Sequence, residues 1–543
     1  MKIVLASINS KYIHSSLSVW YLYSASKEAN TNHTVEVYES TINNQIEDIV
    51  ADIYNLAPDV VGFSCYIWNI EYVKKITEIL KKIKPELKIF YGGPEASFDA
   101  DNLLNITPVD MIIKGEGETS FIKLLENDFN TTEKLIFNPV SKYYNPYSKE
   151  YFDALKGRIV YLETSRGCPF SCAFCLSGRD ENVRFFDNDE SKENIIKLAN
   201  CGTQTVKFVD RTFNCNFKFS MAIWEFLINA ETNTQFHFEI SADILKPQEL
   251  ELLRKAPKDR FQFEVGVQTT NDDVLNRINR FVNFSDIKEK VVELLEIKNI
   301  KQHLDLIAGL PGEDITSFKK SFNDVYSIGP EEIQLGFLKL LRGSSMREEA
   351  EEYGMKYSPY PPYEILQTKD VSYDELLVLK KVESMVDKYY NSQKFNNIIK
   401  FLINSFDTPY DFYLELGNYF DKKGYFDRNI GNSEYYKVFL DFNMDITKLD
   451  SEVLRDIIKY DYLMFNKRRG MPEFLGKGLE KCQESKIKDL LRDEYSFREH
   501  YIESFIININ DFVKDNYVNK EKVYFLCSYD GDMEDITSKV QGI

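Results

Sequence analysis

The stretch RIVYLETSRGCPFSCAFC, residues 158–175, joins a short β-type run to three cysteines in the spacing C-x-x-x-C-x-x-C. A redox pair needs two cysteines, and a structural zinc site needs a fourth ligand. The next histidine along the chain is His237, far from the triplet. A disulfide would leave one thiol over, whereas three thiolates suit a four-iron four-sulfur cluster with one iron open. The sequence therefore predicts that Cys168, Cys172 and Cys175 hold such a cluster.

The triplet follows the first of six β-type runs that alternate with helical patterns. The runs are RIVYLETS, QTVKFVD, QFHFEIS, FQFEVGVQ, KQHLDLIAG and EIQLGFLKLL. Six β/α units predict an open, partial (β/α)6 barrel over residues 158–345, because strands and helices alternate without a break. We expect its site at the carboxyl ends of the strands.

A separate alternation of strands and helices occupies residues 1–126. Its β-type runs are KIVLAS, TVEVYES, VVGFSCY, KIFYGG and MIIKG. They predict an α/β fold with a doubly wound parallel sheet, whose ligands gather at the carboxyl ends of the strands. The G-x-G-x-x-G fingerprint is absent after the first strand, which argues against a dinucleotide. We expect a linker over residues 127–157. Amphipathic patterns such as DELLVLKKVESMVDKYY predict a mostly helical domain over residues 346–543.

Composition narrows the classes of partner. The 543 residues carry a net charge of −19 and no dense basic run, so a nucleic-acid partner is disfavoured and a small-molecule substrate is expected. No apolar run has the length of a membrane span, and the N-terminus MKIVLASINS lacks a signal-peptide pattern. We therefore expect a cytoplasmic protein without membrane contact. In that compartment the five scattered cysteines are expected to be free thiols. They are Cys65, Cys201, Cys215, Cys482 and Cys527.

The triplet, placed after the first strand of a six-fold β/α pattern, resembles the radical S-adenosylmethionine (radical SAM) superfamily. The resemblance implies that SAM binds the open iron through its amino and carboxylate groups. It also implies that an electron from a reductant such as flavodoxin or ferredoxin cleaves SAM, and that the resulting radical abstracts a hydrogen from the substrate.

The same resemblance assigns SAM contacts on successive strands. Phe174 matches the aromatic position near the adenine. VDRTFN ends the second strand, where the methionine amine is received, although the usual Gly-Gly-Glu is missing. GVQTTNDDVLNRINR resembles the fourth-strand stretch of oxygen-independent coproporphyrinogen oxidases, and DLIAGLPGE matches the fifth-strand motif. The guanidinium of Arg280 suits the methionine carboxylate. The remaining implied SAM residues are Asp210, Thr212, Glu239, Gln268 and Asp305, the last beside the ribose.

The first domain resembles the cobalamin-binding domains that precede many radical SAM barrels, on the stretches PDVVGFSCYIW, YGGPEAS and GEGE. Relatives that ligate cobalt through histidine carry D-x-H-x-x-G, but Tyr12 and Leu17 replace its Asp and Gly. We therefore expect His14 at a surface or interface; some relatives bind cobalamin without this histidine, so cobalamin stays open. We also expect a substrate pocket where the carboxyl ends of both sheets face each other. Its candidate residues are Lys11, Tyr12, His14, Tyr66, Trp68, Glu95 and Glu116.

The three-part arrangement, with a helical third domain of unassigned function, resembles the subgroup of queuine lyases. The resemblance implies a lyase that releases 7-aminomethyl-7-deazaguanine from the free base queuine for queuosine salvage. A cobalamin-dependent radical SAM methylase is the alternative enzyme. A non-catalytic cobalamin or SAM sensor is the alternative of another class, but it would not need an intact cysteine triplet. The catalytic residues are not identified by the sequence.

Overall fold

The structure is a computed structural model, and it describes most of the chain. The described residues are 1–29, 31–138, 141–155, 157–179, 182–466, 471–476, 479–529 and 532–540. They form two compact units. The first comprises Met1–Ser321 and Leu335–Tyr373, and the second comprises Phe322–Gln334 and Asp374–Ile543. The third domain was expected from residue 346, whereas residues 346–373 lie in the first unit.

The first unit opens with a six-stranded parallel sheet in the order β2–β1–β3–β4–β5–β6. Its strands are β1 (Lys2–Asn9), β2 (Thr34–Thr41), β3 (Val60–Ser64), β4 (Lys88–Gly92), β5 (Met111–Gly115) and β6 (Leu135–Asn138). Its helices are α1 (Leu17–Glu28), α2 (Ile46–Asn55), α3 (Ile70–Ile83), α4 (Pro94–Phe98), α5 (Ala100–Ile106) and α6 (Glu118–Glu126). The five expected strands are present. A sixth, β6, lies within the expected linker and pairs with β5.

The strand order of this sheet reverses at β1, because β2 lies on one side of β1 and β3 lies on the other. β3 is buried along its whole length, as expected for a central parallel strand covered on both faces. A crevice for ligands therefore lies at the carboxyl ends of β1 and β3.

The second sheet has the order β14–β13–β12–β11–β10–β7. Strands of this region are β7 (Val160–Leu162), β8 (Ser165–Arg166), β9 (Arg184–Phe185), β10 (Thr205–Phe208), β11 (Gln235–Ile240), β12 (Phe261–Gln268), β13 (Ile300–Ala308) and β14 (Glu332–Phe337). Its helices are α7 (Lys149–Ala154), α8 (Asn188–Ala199), α9 (Phe217–Asn229), α10 (Pro247–Leu253), α11 (Asp272–Arg277), α12 (Phe284–Ile297), α13 (Ile315–Ile328) and α14 (Ser345–Glu348). All six predicted barrel strands are found, which confirms the α/β fold class.

Alternation along the barrel strands separates two faces of the second sheet. On β12, Phe261, Phe263 and Val265 are buried, while the residues between them are partly exposed. The buried face packs on a helix, since Phe263 lies 5.6 Å from Trp224 of α9 between ring centroids. The residues between them therefore face the interior of the open barrel, where they can meet a ligand.

A short antiparallel pair, β15 (Lys356–Tyr357) and β16 (Ile365–Gln367), completes the first unit. The second unit is mostly helical, as expected. Its helices are α15 (Tyr373–Met385), α16 (Asn396–Leu402), α17 (Pro409–Lys422), α18 (Asn432–Phe442), α19 (Ser451–Phe465), α20 (Lys481–Leu491) and α21 (Ile509–Asp515). An unpredicted antiparallel sheet follows, with strands β17 (His500–Phe505), β18 (Val523–Ser528) and β19 (Met533–Asp535). Within the described ranges, every helix is too short or too polar to cross a bilayer.

Candidate functional site

The cysteine loop begins directly after β7 and β8 and is folded tightly. Gly167 has a φ of +99°, and a Cβ there would lie 2.7 Å from the carbonyl oxygen of Asn182. A Cβ at Gly178 would lie 2.3 Å from the carbonyl oxygen of Phe170. Both positions need glycine because the backbone closes on itself there. The backbone of the loop is therefore tightly constrained, which fixes the positions from which the cysteine side chains extend.

The three thiols of the triplet share one small volume. Burial raises the pKa of Cys172; nearby Cys175 and Cys168 add to this effect, and Arg280 opposes it. The Cys168 sulfur lies 3.5 Å from the Thr212 hydroxyl, and the backbone N–H of Ser177 donates to the Cys175 sulfur at 3.4 Å. The Ser177 N–H therefore stabilises and orients the Cys175 thiolate, whereas the Thr212 hydroxyl donates to the carbonyl oxygen of Arg211 at 2.8 Å.

Among the residues that the structure describes, no three His, Cys, Asp or Glu side chains close on a single metal ion. A four-iron cluster does not need that convergence, because each thiolate binds a different iron. Three soft thiolate donors on a rigid loop therefore fit the predicted cluster. Cys215 was expected to be one of the scattered thiols, but it lies near Cys168. Burial raises the pKa of Cys215 to about 11, and the neighbouring Cys168 adds to this rise.

Gln268 and Arg280, both predicted SAM contacts, converge over Gly266 at the end of β12. A Cβ on Gly266 would lie 2.1 Å from the Gln268 amide nitrogen and 3.9 Å from Arg280 Nη1. Gln268 is 8% exposed and has a φ of +69°. Its Oε1 and the Nε of Arg280 are buried and have no hydrogen-bond partner among the described residues. An unmet acceptor and an unmet donor side by side suit a ligand that carries both an amine and a carboxylate, as SAM does.

Asp210 requires a correction to its predicted role. It is fully buried, and its carboxylate accepts hydrogen bonds from the Thr164 backbone (3.1 Å), the Thr164 hydroxyl (2.8 Å) and the Ser165 hydroxyl. Burial raises its pKa to about 7. These bonds tie β10 to the start of the cysteine loop, so Asp210 supports the loop and is not free to receive the methionine amine. Thr212, beside Cys168, stays the predicted acceptor, and half-buried Phe174 stays a predicted adenine contact.

Glu239 and Asp305, the other predicted SAM residues, face the barrel interior. Burial, opposed by Arg211 and reinforced by Glu264, raises the pKa of Glu239 to about 7. Burial, reinforced by Glu264 and Glu239, raises the pKa of Asp305 well above its usual value. Burial therefore favours the protonated form of both carboxyl groups, which is the form that can donate a hydrogen bond to a bound molecule.

A group of polar residues that the sequence did not predict as functional lies beside them. His237 Nε2 lies 2.9 Å from Glu264 Oε2, and Lys207 Nζ lies 3.7 Å from the same oxygen. Burial alone would raise the pKa of Glu264. The hydrogen bond from His237 and the charge of Lys207 outweigh burial and hold that pKa at about 2. His303 lies 3.2 Å from Asp305. The period-two alternation in FHFE and HLDL was the available signal, since it places these side chains on the interior face.

A cavity of about 670 Å³ lies between the carboxyl edge of the first sheet and the cysteine loop. Its rim includes His14, Tyr66, Trp68, Gly92 and Glu116 from the first sheet, and Tyr161, Glu163, Arg166, Gly167 and Arg211 from the barrel. The structure thus brings four of the seven expected substrate-pocket residues to one cavity. Tyr66 and Trp68 stack with ring centroids 4.4 Å apart. His14 Nδ1 lies 2.6 Å from the Tyr161 hydroxyl, which places His14 at the interface with the barrel, as expected.

The other three expected pocket residues are not on the cavity wall. The Tyr12 side chain is 77% exposed and Lys11 is exposed next to it. Glu95 is buried and accepts a hydrogen bond from the Tyr363 hydroxyl at 2.6 Å. Because its carboxylate binds the Tyr363 hydroxyl inside the protein, Glu95 supports the fold and does not line the cavity, contrary to expectation.

The lining of the cavity has features that suit a cobalamin. Gly62, Gly92, Gly93, Gly115 and Gly117 lie on its wall, together with the apolar residues Leu5, Leu22, Phe90 and Ile113. A bare glycine edge lets a large flat ligand approach the backbone closely. His14 is engaged with Tyr161, in keeping with the missing D-x-H-x-x-G motif. The residues therefore fit a cobalamin held without a histidine ligand from this position.

Three family models match successive parts of the chain. The B12 binding domain matches residues 2–125, the Radical SAM superfamily matches residues 162–325, and a family described as a protein of unknown function (DUF4080) matches residues 351–537. The chain therefore carries a radical SAM domain over residues 162–325, which confirms the prediction from the cysteine triplet. More narrowly, a B12 binding domain precedes the radical SAM domain and a DUF4080 region follows it.

Two relatives with stated activities are methyltransferases. The cobalamin-dependent radical SAM methyltransferase TokK of Streptomyces tokunonensis is 25% identical over 67% of this chain and 60% of its own length. The 2-(S-pantetheinyl)-carbapenam-3-carboxylate methyltransferase of Streptantibioticus cattleyicolor is 25% identical over 67% of this chain and 59% of its own length. This chain thus spans about six-tenths of each relative. Both named activities are methyl transfers.

Solved structures share the fold. The radical SAM methyltransferase TsrM of Kitasatospora setae, with cobalamin and a [4Fe-4S] cluster bound, has a TM-score of 0.55 at 14% identity, covering 67% of this chain and 82% of TsrM. The cobalamin-dependent radical enzyme OxsB, with aqua-cobalamin and SAM bound, has a TM-score of 0.56 at 14% identity, covering 85% of this chain and 78% of OxsB. The radical SAM domain implies one [4Fe-4S] cluster and SAM as cofactors, and the B12 binding domain supports cobalamin as a third.

Proposed function

We propose that the protein is a cobalamin-dependent radical SAM methyltransferase that acts on a small molecule. The observation that carries this proposal is the single cavity shared by the glycine-lined edge of the first sheet and the cysteine loop. A corrin held on that edge would face the cluster side of the barrel. When bound, cobalamin supplies a methyl group for transfer, and the cluster with SAM supplies the radical that activates the substrate. A reductant such as flavodoxin or ferredoxin would supply the electron.

The residues of this chain supply the remaining requirements. Gln268 and Arg280 would bind the methionine end of SAM through the free Oε1 and Nε atoms. The rim of stacked aromatics and the interior polar residues would hold the substrate. Burial between two sheets would keep a reactive radical away from water.

The test begins with cobalamin binding. Protein reconstituted anaerobically with iron and sulfide is incubated with hydroxocobalamin and passed over a desalting column, and its absorption spectrum is recorded. We expect about one cobalamin per chain. The variant Gly92→Phe should lose it while keeping its iron, because a Cβ at Gly92 meets only the Ile113 carbonyl oxygen, at 3.9 Å, and the ring would enter the cavity. Gly431→Phe is the matched control, since a Cβ there meets nothing within 4 Å. Protein that retains no cobalamin would contradict the methyltransferase proposal.

A second candidate is the queuine lyase. The observation that favours it is that the cavity has the size of a site for a drug-sized ligand and a stacked aromatic pair on its rim. Cobalamin-free protein, SAM, dithionite and queuine would be incubated and analysed by mass spectrometry. Release of 7-aminomethyl-7-deazaguanine without cobalamin would establish the lyase. Its absence, together with cobalamin uptake, would leave the methyltransferase.

A further inference from the structure

Arg166, two residues before Cys168, is surrounded by three carboxylates. Its Nη2 donates to Glu118 at 2.7 Å, its Nε donates to Glu163 at 3.0 Å, and its Nη1 lies 3.2 Å from Glu116. Its guanidinium also lies over the Tyr21 ring, 4.9 Å from the centroid. The side chain is only 14% exposed. The guanidinium therefore has a partner in every direction and one fixed orientation.

These partners come from two different parts of the first unit. Glu118 is the first residue of α6 and Glu116 precedes it, so both belong to the carboxyl edge of the first sheet. Glu163 and Arg166 lie at the end of the first barrel strand. Glu118 is the most deeply buried of the three carboxylates, with a side chain 5% exposed. A buried charge left without its partner is strongly unfavourable, so this contact constrains both parts.

Arg166 is separated from the first cysteine of the loop, Cys168, by a single residue, so its position constrains the start of the loop. Gly167, the single residue between Arg166 and Cys168, is held at a φ of +99° against Asn182. On the other side, Thr164 and Ser165 donate to buried Asp210. The loop thus starts from a backbone fixed by Asp210 within the barrel and by Glu118 from the first domain. A shift of Arg166 would be transmitted to Cys168 because no flexible segment lies between them.

We propose that Glu118 is a positioning residue for the cluster: acting through Arg166, it sets the place of Cys168 and hence the cluster's relation to SAM. The B12 binding domain is then a structural part of the cluster site and not only a second ligand-binding module. The inference rests on the cluster and not on which of the two proposed reactions takes place. It requires no cobalamin.

The chain offers a matched control. Arg158 pairs with Glu39 at 3.3 Å, and this buried ion pair also joins the first domain to residues just before the barrel. Arg158 precedes Cys168 by ten residues, so it supports the interface without touching the loop. The variants Glu118→Gln and Glu39→Gln would be compared as full-length protein reconstituted with iron and sulfide. Iron content and melting temperature report integrity, and the electron paramagnetic resonance spectrum of the reduced cluster with and without SAM reports its geometry.

We expect both variants to bind the parent amount of iron. Glu118→Gln alone should weaken SAM binding, by about tenfold, because Arg166 then loses its most deeply buried charged partner and is held only by Glu116 and Glu163. It should also alter the change that SAM makes in the resonance spectrum. Glu118→Asp, which keeps the charge, should recover part of the SAM affinity. If Glu118→Gln matches the parent in both readouts, or if Glu39→Gln changes them equally, the positioning role is refuted. If Glu118→Gln does not fold, Arg166→Lys, which keeps the charge but loses the forked geometry, gives the same test.

Discussion

Arg280 Nη2 donates a hydrogen bond to the carbonyl oxygen of Gly266 at 2.5 Å, so the last turn of a loop is held against the end of β12. The bond uses one edge of the guanidinium and leaves Nε without a partner among the described residues. Arg280 also lies close enough to Cys172 to oppose the rise in the pKa of that thiol. One side chain therefore faces both the predicted SAM site and the cluster loop.

The first prediction concerns SAM affinity. Arg280→Ala should weaken SAM binding by about 10- to 100-fold, because a charge-assisted contact to a carboxylate is removed. Iron content should stay at the parent level, since no cysteine is changed. Equilibrium dialysis with labelled SAM measures the effect. Arg254→Ala, at a half-exposed arginine paired with Glu293, is the control; equal SAM affinity in both variants and the parent would show that Arg280 does not bind SAM.

The second prediction concerns the cluster ligands. Cys168→Ala, Cys172→Ala and Cys175→Ala should each lose the cluster and all SAM cleavage, since each removes one of three thiolates. Cys482→Ala, at an exposed thiol, should change neither. Iron assay and visible absorption of anaerobic protein measure the outcome. Parent levels of iron in all three triplet variants would contradict the assignment.

The third prediction concerns the backbone of the cysteine loop. Gly167→Ala should lower iron loading sharply, because it combines a strained φ with a Cβ 2.7 Å from a carbonyl oxygen. Gly157→Ala is the matched control: its φ is +78°, but a Cβ there meets nothing within 4 Å. We expect Gly157→Ala to cost about 1 kcal/mol of stability and no iron. Similar iron loading in the two variants would mean that the close approach at Gly167 is unimportant.

The fourth prediction is a pair of opposite pH effects on adjacent strands, where Glu239 lies across from Glu264. The folded pKa of Glu239 is raised from 4.5 to about 7, so its contribution to stability falls as the pH rises through that window. Glu239→Gln should therefore raise the melting temperature at pH 8, by an amount equivalent to at most about 3–4 kcal/mol, and have little effect at pH 5.

Glu264→Gln should act in the opposite direction. The folded pKa of Glu264 is held at about 2, so its stabilisation is present above pH 4.5 and is lost as the pH falls through 2. The variant should lower the melting temperature at both pH 6 and pH 8. Thermal unfolding at the three pH values measures both variants, and shifts of the same sign at pH 8 would refute this account.

The fifth prediction concerns the cavity rim. Trp68→Ala should reduce product formation while substrate-independent SAM cleavage persists, because Trp68 lies on the cavity wall and stacks on Tyr66. Tyr12→Ala should behave as the parent, since that ring is exposed and off the wall. Product and 5′-deoxyadenosine are measured together. A parent rate of product formation in Trp68→Ala would place the substrate elsewhere.

Much of the site could be read from local patterns. The spacing of Cys168, Cys172 and Cys175 and the order of the six strands after them were sufficient to predict the cluster and the barrel, because both depend on residues close together in the chain. Gln268 and Arg280 were assigned by resemblance, and the structure places them together. The sixth strand β6 was missed because LIFN is only four residues long and ends at a proline.

Other roles depended on contacts that a single sequence does not show. Asp210 has the right residue type and position for receiving an amine, yet its oxygens are taken by Thr164 and Ser165 from another strand. Glu95 is used by Tyr363, which lies 268 residues further along the chain.

What the sequence by itself determined was the class of protein: a cluster triplet on a β/α barrel, preceded by a parallel sheet. Only the tertiary structure decided which polar residues are free for ligands and which hold the fold. The physical reason is that a buried polar atom must find a partner, and that partner can come from any part of the chain. Arg166 illustrates this. It lies directly before the cysteine loop in the sequence, but its carboxylate partners Glu116 and Glu118 come from the first domain.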